Sequence, residues 1–484
     1  MTLSQIQEFY KNQTVFITGS TGLLGKLVLR KLLTTCDPKK IYLLIRQHKG
    51  KSVEERLEIL LDKADLGRDK SEFKGKIFVI KGDCGLPGLG ISQDDRDILV
   101  NETTCIIHIA ATIKFNEHLR MAAYVNVRAV QDLLNLAKQV RDLKAMVHVS
   151  TAYSNCNQKH LIKEQFYEPG MTATELLTML DSVDDETITN RTSELLGSWP
   201  NSYTFTKAVA ENVVKTEAQN LPICIVRPAI LMGASEEPAP GWLDAIQGNT
   251  AFFLGTYLGL IHCNLSDTDP IYLIPADYTV NIILAAACYS TDKNSPPAIY
   301  NYTGSEKNLL RKSKLYEYGK LCCELYPSLH MVNLCFLVFT TNTYYLKFCQ
   351  FWLHLVPAFF VDLICSCLGK EQRFVKMYQK LHRTCDVIGF FNVNKWKFDT
   401  TNCEIMWKGL KEKDRELFPF NMENLEWKTF LANCIIYARV YFLKDPMNTL
   451  PQAKRKRKLI IFLYYCIVFA LLYMLWSVMF NLIY

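Results

Sequence analysis

From Thr14 onward, short apolar runs alternate with longer amphipathic stretches. The apolar runs are Thr14–Thr18, Ile41–Leu44, Ile77–Lys81, Cys105–Ile109, Ala145–Val149 and Pro222–Val226. Each is nearly free of polar positions, the signature of a strand covered on both faces. Between them, stretches such as Leu23–Leu33 and Met121–Val140 repeat apolar residues at helical spacing. Strand–helix alternation of this kind predicts an α/β fold with a doubly wound parallel sheet. No internal repeat interrupts it.

After about Gly304 the rhythm changes to mostly helical. A helix is expected over Leu309–Leu325, ended by Pro327. The stretch Met331–Leu368 is aromatic and apolar but broken by Lys347, His354, Pro357 and Asp362. Those interruptions favour a helical region in or near a membrane interface over a spanning hairpin. Further helices are expected over Met377–Phe442, with caps near Asp399 and Asn421, and Pro446 and Pro451 bracket a short linker. The final run, Leu459–Phe480, holds no charge over 22 residues and would span roughly 33 Å as a helix, close to a bilayer's hydrocarbon thickness. The expected organisation is a reductase-like body over 1–304, a helical and partly membrane-associated domain over 305–445, a basic linker over 446–458 and a transmembrane helix over 459–480.

Charge and composition sharpen this picture. The formal net charge is +7, yet the excess comes from scattered Lys and Arg and the cluster Lys454–Lys458. No basic stripe interleaves with aromatics, so a nucleic-acid partner is not expected. Beside a spanning helix, that cluster marks the cytoplasmic side and predicts a single-pass anchor with the body in the cytosol. The endoplasmic reticulum is the expected membrane, with a peroxisomal membrane as the alternative. The 17 cysteines lack framework spacing and CxxC pairs, which predicts buried free thiols in a reducing compartment and no metal site. The polar N-terminus lacks the apolar core of a secretory signal.

The first strand leads directly into Gly19, Ser20, Thr21, Gly22, Leu23, Leu24 and Gly25. The first glycine suits a tight turn, the second lets a pyrophosphate approach the backbone, and the third lets the helix pack on the strand. The anion would lie on free amides at the helix N-terminus. This is the dinucleotide cradle of a Rossmann sheet, with GxxGxxG spacing. The second strand ends at Arg46, with Lys49 and Lys51 behind it, where an NAD-binding protein usually has an acid. A guanidinium can fork onto a 2′-phosphate, so NADPH is the expected cofactor. Asp83 is placed to meet the adenine, and Ala110 and Ala111 leave room for the cofactor beside the backbone.

Tyr203 and Lys207, four apart in NSYTFTKA, fall on one helix face. An ammonium beside a phenol favours the phenolate and is expected to lower its pKa. Ser150 and Thr151 end the fifth strand at the sheet's carboxyl edge, where ligands bind in open α/β sheets. Thr151, or alternatively Ser150, is the expected hydroxyl donor to a substrate oxygen.

The segments TGSTGLLG, HIAA, YVNV, HVSTAY, YTFTKA and VRPAI, with Arg46 and Asp83, together resemble an extended short-chain dehydrogenase/reductase. KFNEHL (Lys114–Leu119), GDCGLPGLGIS (Gly82–Ser92), IPADYTVN (Ile274–Asn281) and the late block NKWKFDTTN…WKGLKEKDRELFPFNM resemble the fatty acyl-CoA reductase family, and the resemblance covers nearly the whole chain. It implies reduction of a long-chain fatty acyl-CoA to a primary alcohol through a bound aldehyde, with two NADPH and release of CoA. It carries Thr151, Tyr203 and Lys207 over as catalytic, and Gly19, Gly22, Gly25 and Arg46 as cofactor contacts. Pro228 matches a proline beside the nicotinamide, and Asn126 an asparagine that props the lysine, often through water. The late block departs from the family in reading TTN where an Asn pair is usual. Competing readings are a membrane-bound steroid dehydrogenase or epimerase-like enzyme, and a catalytically silent membrane scaffold.

Overall fold

The computed structural model describes all residues except 1–2, 49, 65, 67–69, 74, 159, 268–269 and 484. Seven strands build one sheet: β1 (Thr14–Thr18), β2 (Lys40–Ile45), β3 (Ile77–Lys81), β4 (Cys105–His108), β5 (Ala145–Val149), β6 (Ile223–Pro228) and β7 (Ala298–Tyr302). Their order is β7-β6-β5-β4-β1-β2-β3, and every neighbouring pair is parallel. The order reverses between β1 and β4, the switch point where such sheets bind ligands. β1, β5 and β6 are buried at every position, as their unbroken apolar runs require. The expected strands fall within a residue or two of six observed ones. The seventh, AIYNY, lies at the sheet edge; its polar Asn301 interrupts the apolar run and hid it among loops.

Helices connect successive strands. α1 (Leu23–Lys31) follows β1, and α2 (Val53–Lys63) follows β2. Ser52 caps α2 through a reciprocal bond with Glu55, which satisfies two otherwise orphaned amides. α3 (Ser202–Glu217) precedes β6 and begins at Asn201, whose side chain accepts the Thr204 amide at 2.9 Å.

The described chain divides into two compact units that interleave along the sequence. The first comprises Met1–Pro238, Tyr272–Leu309 and Trp396–Leu425, and the second Ala239–Ile271, Leu310–Lys395 and Glu426–Tyr484. The late block thus belongs to the sheet-bearing unit. Lys397–Phe398 pairs with Leu161–Ile162, and Asn402 donates its amide to Glu164 at 2.6 Å and its side chain to the Ile299 carbonyl at 2.8 Å.

The second unit is mostly helical. α4 (Thr343–Gln350), a π-helical turn at Phe351–Leu355 and α5 (Val356–Cys367) form one arm, followed by α6 (Phe374–Val393). The last helix, α7, runs Leu450–Ile483. Pro451 sits in its first turn, where a missing N–H costs nothing, so Lys454–Lys458 lie on the helix itself. Among the described residues, two helical stretches are long and apolar enough to cross a membrane, Thr343–Cys367 and Met447–Asn481.

Candidate active site

The turn between β1 and α1 is built around close backbone packing. Gly19 adopts φ +75°, and a Cβ there would lie 2.6 Å from the Ala110 nitrogen. At Gly25 a Cβ would lie 2.2 Å from the Gly19 carbonyl oxygen. Both approaches need glycine. Gly22 caps α1 with its backbone alone, leaving first-turn amides free for an anion. Leu24 is buried, so it offers this site only its backbone. Among the described residues the buried Ser20 hydroxyl has no partner. A buried polar group without a partner costs free energy, and a phosphate oxygen would satisfy it. The cradle therefore fits a dinucleotide.

At the end of β2, Arg46 donates to Asp83 at 3.1 Å, and Asp83 accepts the Gly85 amide at 2.9 Å. A second guanidinium converges here. Arg56 of α2 donates to the Arg46 carbonyl and, at 3.2 Å, to the Thr21 hydroxyl. Arg56 is hidden in the sequence because it looks like one more polar position on an amphipathic helix. Lys51 is exposed and bridges to His48. Lys49 lies outside the described residues.

At the carboxyl ends of β4 to β6, α3 carries Tyr203, Lys207 and Glu211 at four-residue intervals on one face. Lys207 is 2% exposed, and its Nζ donates to the carbonyl of Val149, the last residue of β5, at 2.8 Å. Burial pushes its ammonium down to about 8, with the Glu211 carboxylate acting the other way. The Tyr203 phenol is pushed up to about 12 by burial, while a hydrogen bond from Thr151 draws it down. The expected lowering of the phenol by the lysine does not appear: desolvation sets its acidity, and Thr151 is the group that opposes it. Phe115, from KFNEHL, stacks on the Tyr203 ring at 5.8 Å, and Ser202 donates to the Glu117 carbonyl at 2.9 Å, tying that segment to the start of α3.

Ser150 and Thr151 part company in the fold. The Ser150 hydroxyl donates to Glu211 at 2.5 Å. Glu211 also accepts from Ser154 at 2.9 Å and from Asn155 at 3.2 Å, and forms an ion pair with Arg227 at 2.7 Å, both side chains being buried. Glu211 continues the Tyr203–Lys207 series, and that spacing could have found it. Arg227 stands in VRPAI, but nothing in the sequence names its partner. Asn126 accepts the Thr112 amide at 2.9 Å and donates to the Thr206 hydroxyl at 3.0 Å, so it tethers α3 at the residue before Lys207. Pro228 closes β6, and its carbonyl accepts the Ala152 amide at 2.9 Å. The fold thus brings the hydroxyl, the phenol, the ammonium and the glycine turn to one edge of one sheet.

A sheet of this order with such a cradle defines a nicotinamide-dependent oxidoreductase on the short-chain dehydrogenase plan. Comparison with known proteins narrows the class. A family model described as male sterility protein matches residues 17–283, and a second of the same description matches 353–445. Fatty acyl-CoA reductase wat of Drosophila melanogaster is 35% identical over 471 residues, 96% of this chain and 90% of that protein. Fatty acyl-CoA reductase 1 of Homo sapiens is 34% identical over 460 residues, 93% and 88% respectively. Among solved structures, the terminal R domain from the myxalamid PKS-NRPS biosynthetic pathway shares the fold, with a TM-score of 0.60 at 19% identity over 90% of this chain and 93% of that one. The chain belongs to the fatty acyl-CoA reductase family.

Proposed function

We propose that the protein reduces long-chain fatty acyl-CoA to primary fatty alcohol, using NADPH and releasing CoA, through an aldehyde held in the site. The observation that carries this reading is the convergence of Thr151, Tyr203 and Lys207 beside the glycine turn, in a chain of this family. NADPH, when bound, supplies the hydride. Thr151 and Tyr203 donate hydrogen bonds to the oxygen of the thioester carbonyl as charge develops on it, a preorganised arrangement that costs no reorganisation. The hemithioacetal then releases CoA as thiolate. In the second reduction Tyr203 gives its proton to the alkoxide. A phenol held near 12 suits that role, because it stays protonated at neutral pH and an alkoxide is a far stronger base. Lys207, anchored on Val149, holds positive charge behind the phenol.

Arg46 and Arg56, both beside the turn, favour a 2′-phosphate and hence NADPH over NADH. The apolar α7 is the membrane anchor in this reading, with Lys454–Lys458 on the cytosolic side. The endoplasmic reticulum is the proposed compartment. The test is to incubate membranes containing the protein with a panel of acyl-CoA chain lengths and NADPH or NADH, and to identify products. Fatty alcohol formed with NADPH is expected. Tyr203→Phe should abolish alcohol formation and leave NADPH binding intact; turnover retained in that variant would overturn the assignment.

A further inference from the structure

Within the second unit, the arm from Thr343 to Cys367 has two unlike faces. Its inward face is bound to the rest of the unit. Leu346 and Cys349 pack with Cys263. His354 Nε2 accepts the His262 amide at 3.0 Å, so the ring carries its proton on Nδ1, which donates to His382 Nε2 at 2.9 Å. The Asp362 carboxylate accepts the amides of Arg373, Phe374 and Val375 at 2.9, 3.0 and 2.9 Å, capping the start of α6. Its outward face is a stripe of Tyr345, Phe348, Trp352, Phe359 and Leu363, each 48–58% exposed. Tyr345 and Phe348 before the π-turn, and Phe359 and Leu363 after it, fall at helical spacing, and Phe351, Phe360 and Ile364 beside them are also exposed, so the apolar face is broad. Soluble surfaces rarely leave so large an apolar patch uncovered.

The surroundings say what covers it. Beside the arm, Lys370, Arg373, Lys376, Lys380 and Arg383 are all exposed, against two exposed acids, Asp386 and Glu371, the latter paired with Arg373. Tyrosine and tryptophan within an apolar stripe, edged by basic residues, are the composition of a helix lying at a lipid surface with anionic headgroups. The same unit carries α7, rooted there by the Lys456 ammonium on the Leu329 carbonyl at 2.6 Å and by Phe336 against Tyr464 at 6.5 Å between ring centres.

We propose that the Tyr345–Leu363 stripe is a second lipid-contact face, half-embedded in the plane of the bilayer interface. This rests on the reading of α7 as a membrane anchor and goes beyond it. The bonds of His354 and Asp362 hold one side of the arm against protein, which leaves the stripe as the side turned to lipid. An in-plane stripe would keep the unit pressed on the surface into which long acyl chains partition.

The test uses the full chain in vesicles of phosphatidylcholine and phosphatidylserine whose acyl chains carry bromine either near the headgroup or near the chain end. The protein has seven tryptophans, so each signal is taken as the difference from a Trp352→Phe or Trp476→Phe variant. Quenching of Trp476 reports the anchor. The proposal expects Trp352 to be quenched as well, more strongly by bromine near the headgroup. Trp352 quenched most by chain-end bromine would mean a crossing helix and would overturn it. Trp352 untouched while Trp476 is quenched would leave the anchor standing and overturn the proposal. Neither quenched would sink both readings.

Discussion

Glu211 lies one turn beyond Lys207 on α3, and its carboxylate takes the Ser150 hydroxyl at 2.5 Å. That bond separates two neighbouring hydroxyls that look interchangeable in HVSTAY. Ser150 is committed to the Glu211–Arg227 pair, while Thr151 faces the phenol. Thr151→Val is therefore expected to lower kcat by about 100-fold, as loss of one oxyanion donor does. Ser150→Ala should lower kcat far less and instead reduce stability by about 1 kcal/mol, because Glu211 loses a donor. Steady-state rates and urea unfolding of both variants check this; equal losses of rate would refute the division of labour.

The charge on Lys207 sets an alkaline limit. Its folded value of about 8 lies below the ordinary 10.5, so the ammonium is present below pH 8 and is lost as pH rises through it. The ratio kcat/KM should be level near neutrality and fall about tenfold per unit well above pH 8. The stability sign is opposite. Between about 8 and 10.5 the unfolded chain binds the extra proton, so this group's contribution to stability rises with pH. A rate profile flat to pH 10 would show that the lysine charge is not used.

Two guanidiniums beside the glycine turn should read the cofactor's 2′-phosphate. Arg46→Ala and Arg56→Ala are each expected to weaken NADPH binding by about 10- to 100-fold, the loss of one charge-assisted bond. NADH binding should change little. Titration of both cofactors by fluorescence tests this. An equal loss for NADPH and NADH would mean that these residues only support the turn.

The glycines differ in what they tolerate. Gly25→Ala puts a methyl 2.2 Å from the Gly19 carbonyl oxygen, a backbone atom that cannot yield. Thermal stability should drop together with cofactor binding. Gly22→Ala meets that oxygen at 3.3 Å, so the variant is expected to fold while binding NADPH more weakly. Melting curves with and without NADPH separate the two outcomes.

Local chemistry is legible in the chain alone. Unbroken apolar runs mark six of seven strands, and three glycines after the first of them mark the cradle, because burial on both faces and close backbone approach each restrict residue type at fixed positions. Tyr203 and Lys207 are legible because helical spacing is regular. What the sequence could not hold is pairing across distance. Arg56 reaching Thr21, Arg227 reaching Glu211, and Asn402 returning to Glu164 join residues separated by 35, 16 and 238 positions. The same holds for Ser150 against Thr151: adjacent residues point to opposite sides at a strand end, and only the helix packed above decides which meets a carboxylate and which meets the phenol. The phenol's own acidity follows suit: the desolvation that raises it belongs to the packed interior, which the local spacing of Tyr203 and Lys207 does not show.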